Sequence, residues 1–202
     1  ACVHIHPKWL EASDDKQVCR WKMKTKIQKA SLVRRNSIKN IVSLGMTEVA
    51  ETYEWLYFRN KSRLIYACRR FTEEFPDMGQ LFDVKGSPVV LPKGFVDAVG
   101  RAEIFSSDNL HDDYVQVELM PGKIRVIGKG VRGKHKEYDD TIAYKGKHIS
   151  FYIRPQVLVD IIERHNECLI SSEFIKVDSG KYVYINVLEV EADKDEGEGD
   201  GA

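Results

Sequence analysis

An α+β fold class, in which repeated helix-plus-strands halves form antiparallel sheets backed by a row of helices, is predicted by three observations. Helix-like runs open at Arg34–Leu44, Leu91–Phe105 and Pro155–Asn166, and they recur at a spacing of about sixty residues, as one supersecondary unit used several times would. Each run is followed by two or three strand-like runs. Between the first and second copies, Phe75-Pro76-Asp77-Met78-Gly79 is a breaker cluster and a natural boundary.

In chain order, Cys2 to Lys24 reads as two strands around the acidic turn Ser13-Asp14-Asp15, and Lys26 to Val33 as another extended run. The first helix starts near Asn36 or Ser37, whose side-chain oxygens suit an N-cap, and stops at Gly45. It puts Ile38, Ile41 and Val42 on one face and Arg35, Lys39 and Asn40 on the other. Glu48–Phe58 and Ser62–Arg70 alternate as strands joined by Arg59-Asn60-Lys61. The second helix buries Phe95, Ala98, Val99 and Ala102 and turns Lys93, Asp97 and Arg101 elsewhere. Gly94 and Gly100 weaken it by roughly 1 kcal/mol each, so packing must hold it. Strands follow at Tyr114–Met120 and Lys123–Lys129, turned by Pro121-Gly122, and at Lys136–Tyr144. His148–Ile153 leads into the third helix, with Pro155 at its start and Val157, Leu158, Ile161 and Ile162 as its buried stripe. Glu173–Val177, the turn Asp178-Ser179-Gly180 and the strand Tyr182–Glu189 complete the copy. Residues 190–202 are expected to be a disordered acidic tail, since from Ala192 onward the chain is chiefly Gly, Asp and Glu with no apolar anchor.

The 202 residues, 43% hydrophobic, suffice for one or two ordinary cores. The net charge of zero conceals an asymmetry. From Glu189 onward seven acidic residues face Lys194 alone, so the neutral chain divides into a tail of minus six and a body of plus six. Between Lys16 and Thr47, Lys16, Arg20, Lys22, Lys24, Lys26, Lys29, Arg34, Arg35 and Lys39 occur without an acid. A surface that meets a polyanion has that footprint, and so does an ordinary solvated basic face. Cys2, Cys19, Cys68 and Cys168 show no short paired spacing, and no apolar run is long enough to cross a bilayer, so an intracellular, reduced protein is expected. The chain enters strand-like residues directly after Ala1, as expected of a C-terminal fragment of a longer protein.

Catalytic signals are thin. His4 and His6 alternate on one strand face beside Asp14 and Asp15, a set that a divalent metal or a small metal-dependent nuclease would use, but two histidines fall short of a zinc site. His165-Asn166-Glu167-Cys168 lies where a helix ends, where a histidine against the helix dipole accounts for it equally. Neither G-x-S-x-G nor H-E-x-x-H occurs. Gly128-Lys129-Gly130-Val131-Arg132-Gly133-Lys134 is glycine-rich and basic but lacks a following helix, and reads as a mobile exposed loop.

Ala12-Ser13-Asp14-Asp15-Lys16-Gln17-Val18, Phe75-Pro76-Asp77-Met78 and the closing Tyr182-Val183-Tyr184-Ile185-Asn186-Val187-Leu188 together carry a resemblance. They resemble the A-T-D-G-H-R-L-like, F-P-D-Y-like and Y-V-V-M-P-M-like segments of the bacterial-type sliding clamp, the beta subunit of DNA polymerase III. The likeness runs nearly to Glu189. It implies a DNA-clamp fold with sheets outside and helices on the inner face. Residues 1–76 then correspond to the second half of the middle clamp domain, truncated at its N-terminus, and residues 77–189 to a complete C-terminal domain.

The resemblance also implies a role. A full-length ring of like subunits would encircle duplex DNA without reading its sequence, and would tether DNA polymerase, clamp loader and repair proteins through short linear peptides. No catalytic step and no cofactor are implied, and the setting is cytoplasmic, at the nucleoid. Carried over by motif, the peptide groove comprises Ser13, Lys16, Gln17 and Val18, then Pro76, Gln80 and Leu81, then Val183, Tyr184 and Ile185. Arg35, Lys39, Lys93, Arg101, Arg154 and Arg164 would face DNA phosphates. Asp15 and Lys16 stand where the family has Gly-His, Gln80 where it has arginine, and Asn186 where it has proline, which makes the groove more polar. The competing reading is a clamp-like accessory or decoy protein that binds partners without encircling DNA.

Overall fold

The computed structural model describes residues 2–71, 73–106, 114–131 and 133–189; the tail from residue 190 lies outside them. The elements are β1 (Cys2–His6), β2 (Trp9–Ser13), β3 (Gln17–Lys22), β4 (Ser31–Arg34), α1 (Arg35–Ser43), β5 (Glu48–Glu51), β6 (Trp55–Arg59) and β7 (Ile65–Arg69). A 3₁₀ turn (Gly79–Asp83) leads to β8 (Ser87–Val90), α2 (Phe95–Ser106), β9 (Val115–Met120), β10 (Lys123–Gly130) and β11 (Gly133–Asp139). Then come β12 (Ile149–Ile153), α3 (Pro155–His165), β13 (Glu167–Ile170), β14 (Phe174–Asp178) and β15 (Tyr182–Val187). The rhythm strand, helix, three strands therefore occurs three times, preceded by β1–β3. It is an α+β fold of antiparallel sheets and helices, as predicted.

The chain forms two compact units, Ala1–Lys85 with Lys176–Asn186, and Gly86–Ile175 with the stretch from Val187. In the first, β4-β1-β2-β3-β15 is one antiparallel run and β5-β6-β7 another. Strand alternation sends Ile5 and Leu10 to the core formed by Ile27, Val33, Leu56 and Cys68, on which Ile38, Ile41, Phe58 and Tyr66 pack. The buried Arg70 guanidinium donates to Glu51 Oε2 at 2.9 Å and to the carbonyls of Thr52 and Lys29 at 3.1 Å, which fixes the approach to β4.

Several expectations are corrected here. Cys2–Lys24 makes three strands, because Pro7 and Lys8 turn the chain between β1 and β2. Lys26–Val33 yields a strand only from Ser31. Neither Asn36 nor Ser37 caps α1: pairing of β4 with β1 runs to Arg34, which is the N-cap and leaves both residues inside the first turn. At the other end Gly45 behaves as expected. Its φ of +61° lets its N–H reach Val42 O and that of Met46 reach Ile41 O, which satisfies carbonyls the helix leaves free. Val42 is 74% exposed, since successive helical residues lie about 100° apart and the Ile38–Ile41 stripe alone meets the core. Glu48–Phe58 is broken by Thr52, whose hydroxyl accepts the Trp55 N–H at 3.2 Å and turns the chain into β6.

In the second unit, β11-β10-β9-β12 is a four-stranded antiparallel sheet and β8 pairs with β13. Phe95, Ala98, Val99 and Ala102 are buried, as are Leu158, Ile161 and Ile162 of α3, which begins with Pro155. Gly128 explains itself by packing: a Cβ there would lie 1.9 Å from the Ala102 carbonyl oxygen, so α2 rests directly on β10. The segment read as a mobile loop is the end of β10 and the start of β11, a hairpin in which Gly130 faces Gly133. The strand expected over Lys136–Tyr144 ends at Asp139, and Tyr144 is buried with its hydroxyl donating to the Lys147 carbonyl at 2.7 Å. α3 ends at His165 with Asn166 as its C-cap, where a helix end is expected, and the strand β13, which is not expected, begins at Glu167.

Candidate functional site

The register His4↔Glu11, Glu11↔Arg20 and Arg20↔Val183 aligns one residue from each of β1, β2, β3 and β15 on the face opposite Ile5 and Leu10. One step along, Ser13, Val18 and Ile185 align on the same face. Val18, Val183 and Ile185 are 5–7% exposed and form its apolar floor.

The segment from Phe75 to Phe82 is fastened to this face. Phe75 stacks on His4 with ring centroids 4.7 Å apart, and the Arg20 guanidinium lies 4.3 Å from the Phe82 ring centre and 4.9 Å from that of Trp9. Arg20 donates to Glu11 Oε1 at 2.9 and 3.2 Å, and Glu11 is buried. Lys176 Nζ donates to the Phe82 carbonyl. Asp77 Oδ1 accepts the Gly79 N–H at 2.8 Å and starts the 3₁₀ turn. Pro76, Gln80 and Leu81 are consequently held but exposed, Leu81 by 47%.

Alternation divides the expected groove set. Gln17 and Tyr184 point to the other face of the sheet, where the Tyr184 hydroxyl donates to Gln17 Oε1 at 2.8 Å. Lys16 sits in the turn whose Asp14 carboxylate accepts the N–H groups of Lys16 and Gln17 at 2.9 and 2.8 Å. Sequence reasoning missed Glu11, Arg20, Phe75 and Phe82. The i, i+2 relation of Val18 and Arg20 is the available signal, obscured because Arg20 counts equally well as part of the basic run.

The residues weighed for a metal and set aside on sequence grounds have other contacts: His6 stacks on Trp9 at 3.6 Å, His4 on Phe75, and Asp14 is engaged by its own turn. Among the described residues no group of three or more metal-ligating side chains exists. Burial pushes the Cys168 thiol up to about 12, far from a nucleophile's range, and the Asn166 amide donates to the Leu91 carbonyl at 2.8 Å.

Of the expected phosphate-facing residues, Arg35 and Lys39 are exposed on α1 and Lys93 is exposed just before α2. Arg154 precedes α3 with its guanidinium 5.9 Å from the Tyr114 ring, and Arg164 lies 3.7 Å from Asp160. Arg101 is already neutralised: it donates to both oxygens of Glu137 at 2.5 and 2.7 Å, and this pairing holds the Glu137 carboxyl down at about 2.

Comparison with solved structures decides the fold. The DNA polymerase III beta subunit of Bartonella birtlesii, a sliding clamp bound to griselimycin, superposes with a TM-score of 0.81 at 13% identity over 94% of this chain. The fold is that of the bacterial sliding clamp. The clamp of Pseudomonas aeruginosa gives 0.78 at 13% identity over 94% of the chain, and that of Thermotoga maritima 0.75 at 17% over 95%. This chain spans 57–58% of the length of those clamps. No protein-family model matches the sequence, and no curated protein does.

Proposed function

We propose that this chain is the C-terminal part of a DNA sliding clamp, a non-enzymatic processivity factor. In a full-length homo-oligomeric ring it encircles duplex DNA and tethers the replicative polymerase, the clamp loader and repair proteins in the cytoplasm, at the nucleoid. Tethering of this kind raises effective concentration and requires no chemical step. Residues 1–76 serve as the second half of the middle domain and residues 77–189 as the last domain.

The observation that carries this reading is the buried floor Val18, Val183 and Ile185 on the same face as the braced segment presenting Leu81, within a clamp fold. A short apolar peptide side chain fits against such a floor, with Ser13 and Gln80 available for polar contacts at its edge. Gln17 and Tyr184 support the floor from behind. DNA contact falls on Arg35, Lys39, Lys93, Arg154 and Arg164 rather than on Arg101, whose charge Glu137 holds.

A labelled peptide of the Gln-x-x-Leu-Phe type, followed by fluorescence anisotropy, tests the groove. Micromolar binding, worth roughly 8 kcal/mol, is expected, and Leu81→Glu weakens it at least tenfold without lowering the melting temperature because Leu81 is exposed. Undiminished binding by the variant contradicts the groove assignment.

A further inference from the structure

The hairpin β10–β11 gathers positively charged side chains on one face. Its register sets Lys129 opposite Lys134, Ile127 opposite Lys136 and Arg125 opposite Tyr138. Strand alternation places these residues on one side, while His135 and Glu137 occupy the other. That other side is the one covered by α2, since Glu137 pairs with Arg101 and His135 stacks on Phe105 with centroids 5.2 Å apart. The lysine face is therefore the side of the sheet turned away from the helix.

Two carboxylates among the described residues already have cationic partners. Glu118 pairs with Arg125, and Asp140 lies 3.2 Å from Lys123. Lys134 and Lys136 are exposed, adjacent on one strand face, and take part in no ion pair among the described residues. Lysines directly opposite one another in an antiparallel pair destabilise it. Lys136, Lys129 and Arg125 accordingly disfavour the charged form of Lys134. A sheet that keeps like charges crowded in this way gains when an anion spans them, and same-face positions about 6.7 Å apart along a strand suit a chain of successive charges rather than a single ion.

We infer that the outer face of β10–β11, centred on Lys134 and Lys136 with Tyr138 beside them, binds the phosphate backbone of DNA independently of sequence. This site is separate from the helix residues assigned to duplex contact and does not need a closed ring.

The test is anisotropy of a labelled DNA duplex of about 20 base pairs with the full chain, over about 50 to 200 mM salt. Lys134→Glu/Lys136→Glu is expected to weaken binding about tenfold or more at the low end and to flatten the salt slope by about two. The same loss is expected when Arg35→Gln/Lys39→Gln is already present, which separates this site from the helix face. The melting temperature of the double variant should be unchanged or higher, since repulsion is removed. Unaltered affinity and slope overturn the proposal, whether or not the variant loses binding to polyglutamate. An equal loss from Lys61→Glu/Lys85→Glu, two exposed lysines elsewhere, also overturns it by reducing the effect to net charge.

Discussion

Arg20 lies between the rings of Trp9 and Phe82 and against the buried Glu11 carboxylate, so one side chain ties β2 and β3 to the segment that presents Leu81. Removing it leaves a carboxylate 3% exposed without its partner. Arg20→Met should therefore cost on the order of 3–5 kcal/mol, and Glu11→Gln added to it should recover part of the loss. Urea unfolding of the two variants checks this, and a single variant as stable as the parent contradicts the brace. The sequence reading places Arg20 in a basic run that points to a polyanion. A charge run does not reveal which of its members face inward; only the register with Glu11, nine positions away, does so. Val18, Val183 and Ile185 are legible because apolar residues on alternating strands have few other uses. Gln17 and Tyr184 fall in the same motifs, and only the pairing of β3 with β15 separates their face from that of the floor.

At the level of elements, two glycines separate propensity from packing. Gly100 lies inside α2 with open space where a Cβ would stand, so Gly100→Ala should stabilise the protein by about 0.5–1 kcal/mol. Gly128→Ala drives a methyl into the Ala102 carbonyl and should cost about 1–3 kcal/mol or more. Opposite shifts in melting temperature are the expected pair of results; two shifts of the same sign contradict the packing of α2 on β10. The helices are legible from their apolar stripes, and α1 and α3 begin within two residues of their expected starts. The first four residues expected of α2 are not helical because Pro92, Lys93 and Gly94 turn the chain before Phe95. β8 and β13 are hard to see in the sequence because each has four residues and pairs with a strand far away along the chain, as in Glu167↔Val90, so neither has a local turn to announce it. The hairpin β10–β11 is hidden for a related reason: its glycines look like a loop but serve close packing at Gly128 and cross-strand pairing of Gly130 with Gly133.

For the whole molecule, the even recurrence of strand, helix and three strands is legible in the amino-acid sequence, since each copy repeats one apolar pattern. Short motifs single out the clamp among repeat architectures, and the superposition on clamps agrees with that fold. Pairing across copies, in which β4 joins β1, β8 joins β13 and β12 joins β9, is not legible because it depends on contacts remote in sequence. The central claim, that this fold presents a partner-peptide groove, is tested most directly by titrating the isotope-labelled chain with a Gln-x-x-Leu-Phe-type peptide and following backbone amide shifts. Saturable changes should concentrate at Ser13, Val18, Leu81, Val183 and Ile185, with the amides of β9–β12 unmoved and the response lost in Leu81→Glu. Shifts confined to residues away from that face, or none at all from the folded chain, would contradict it.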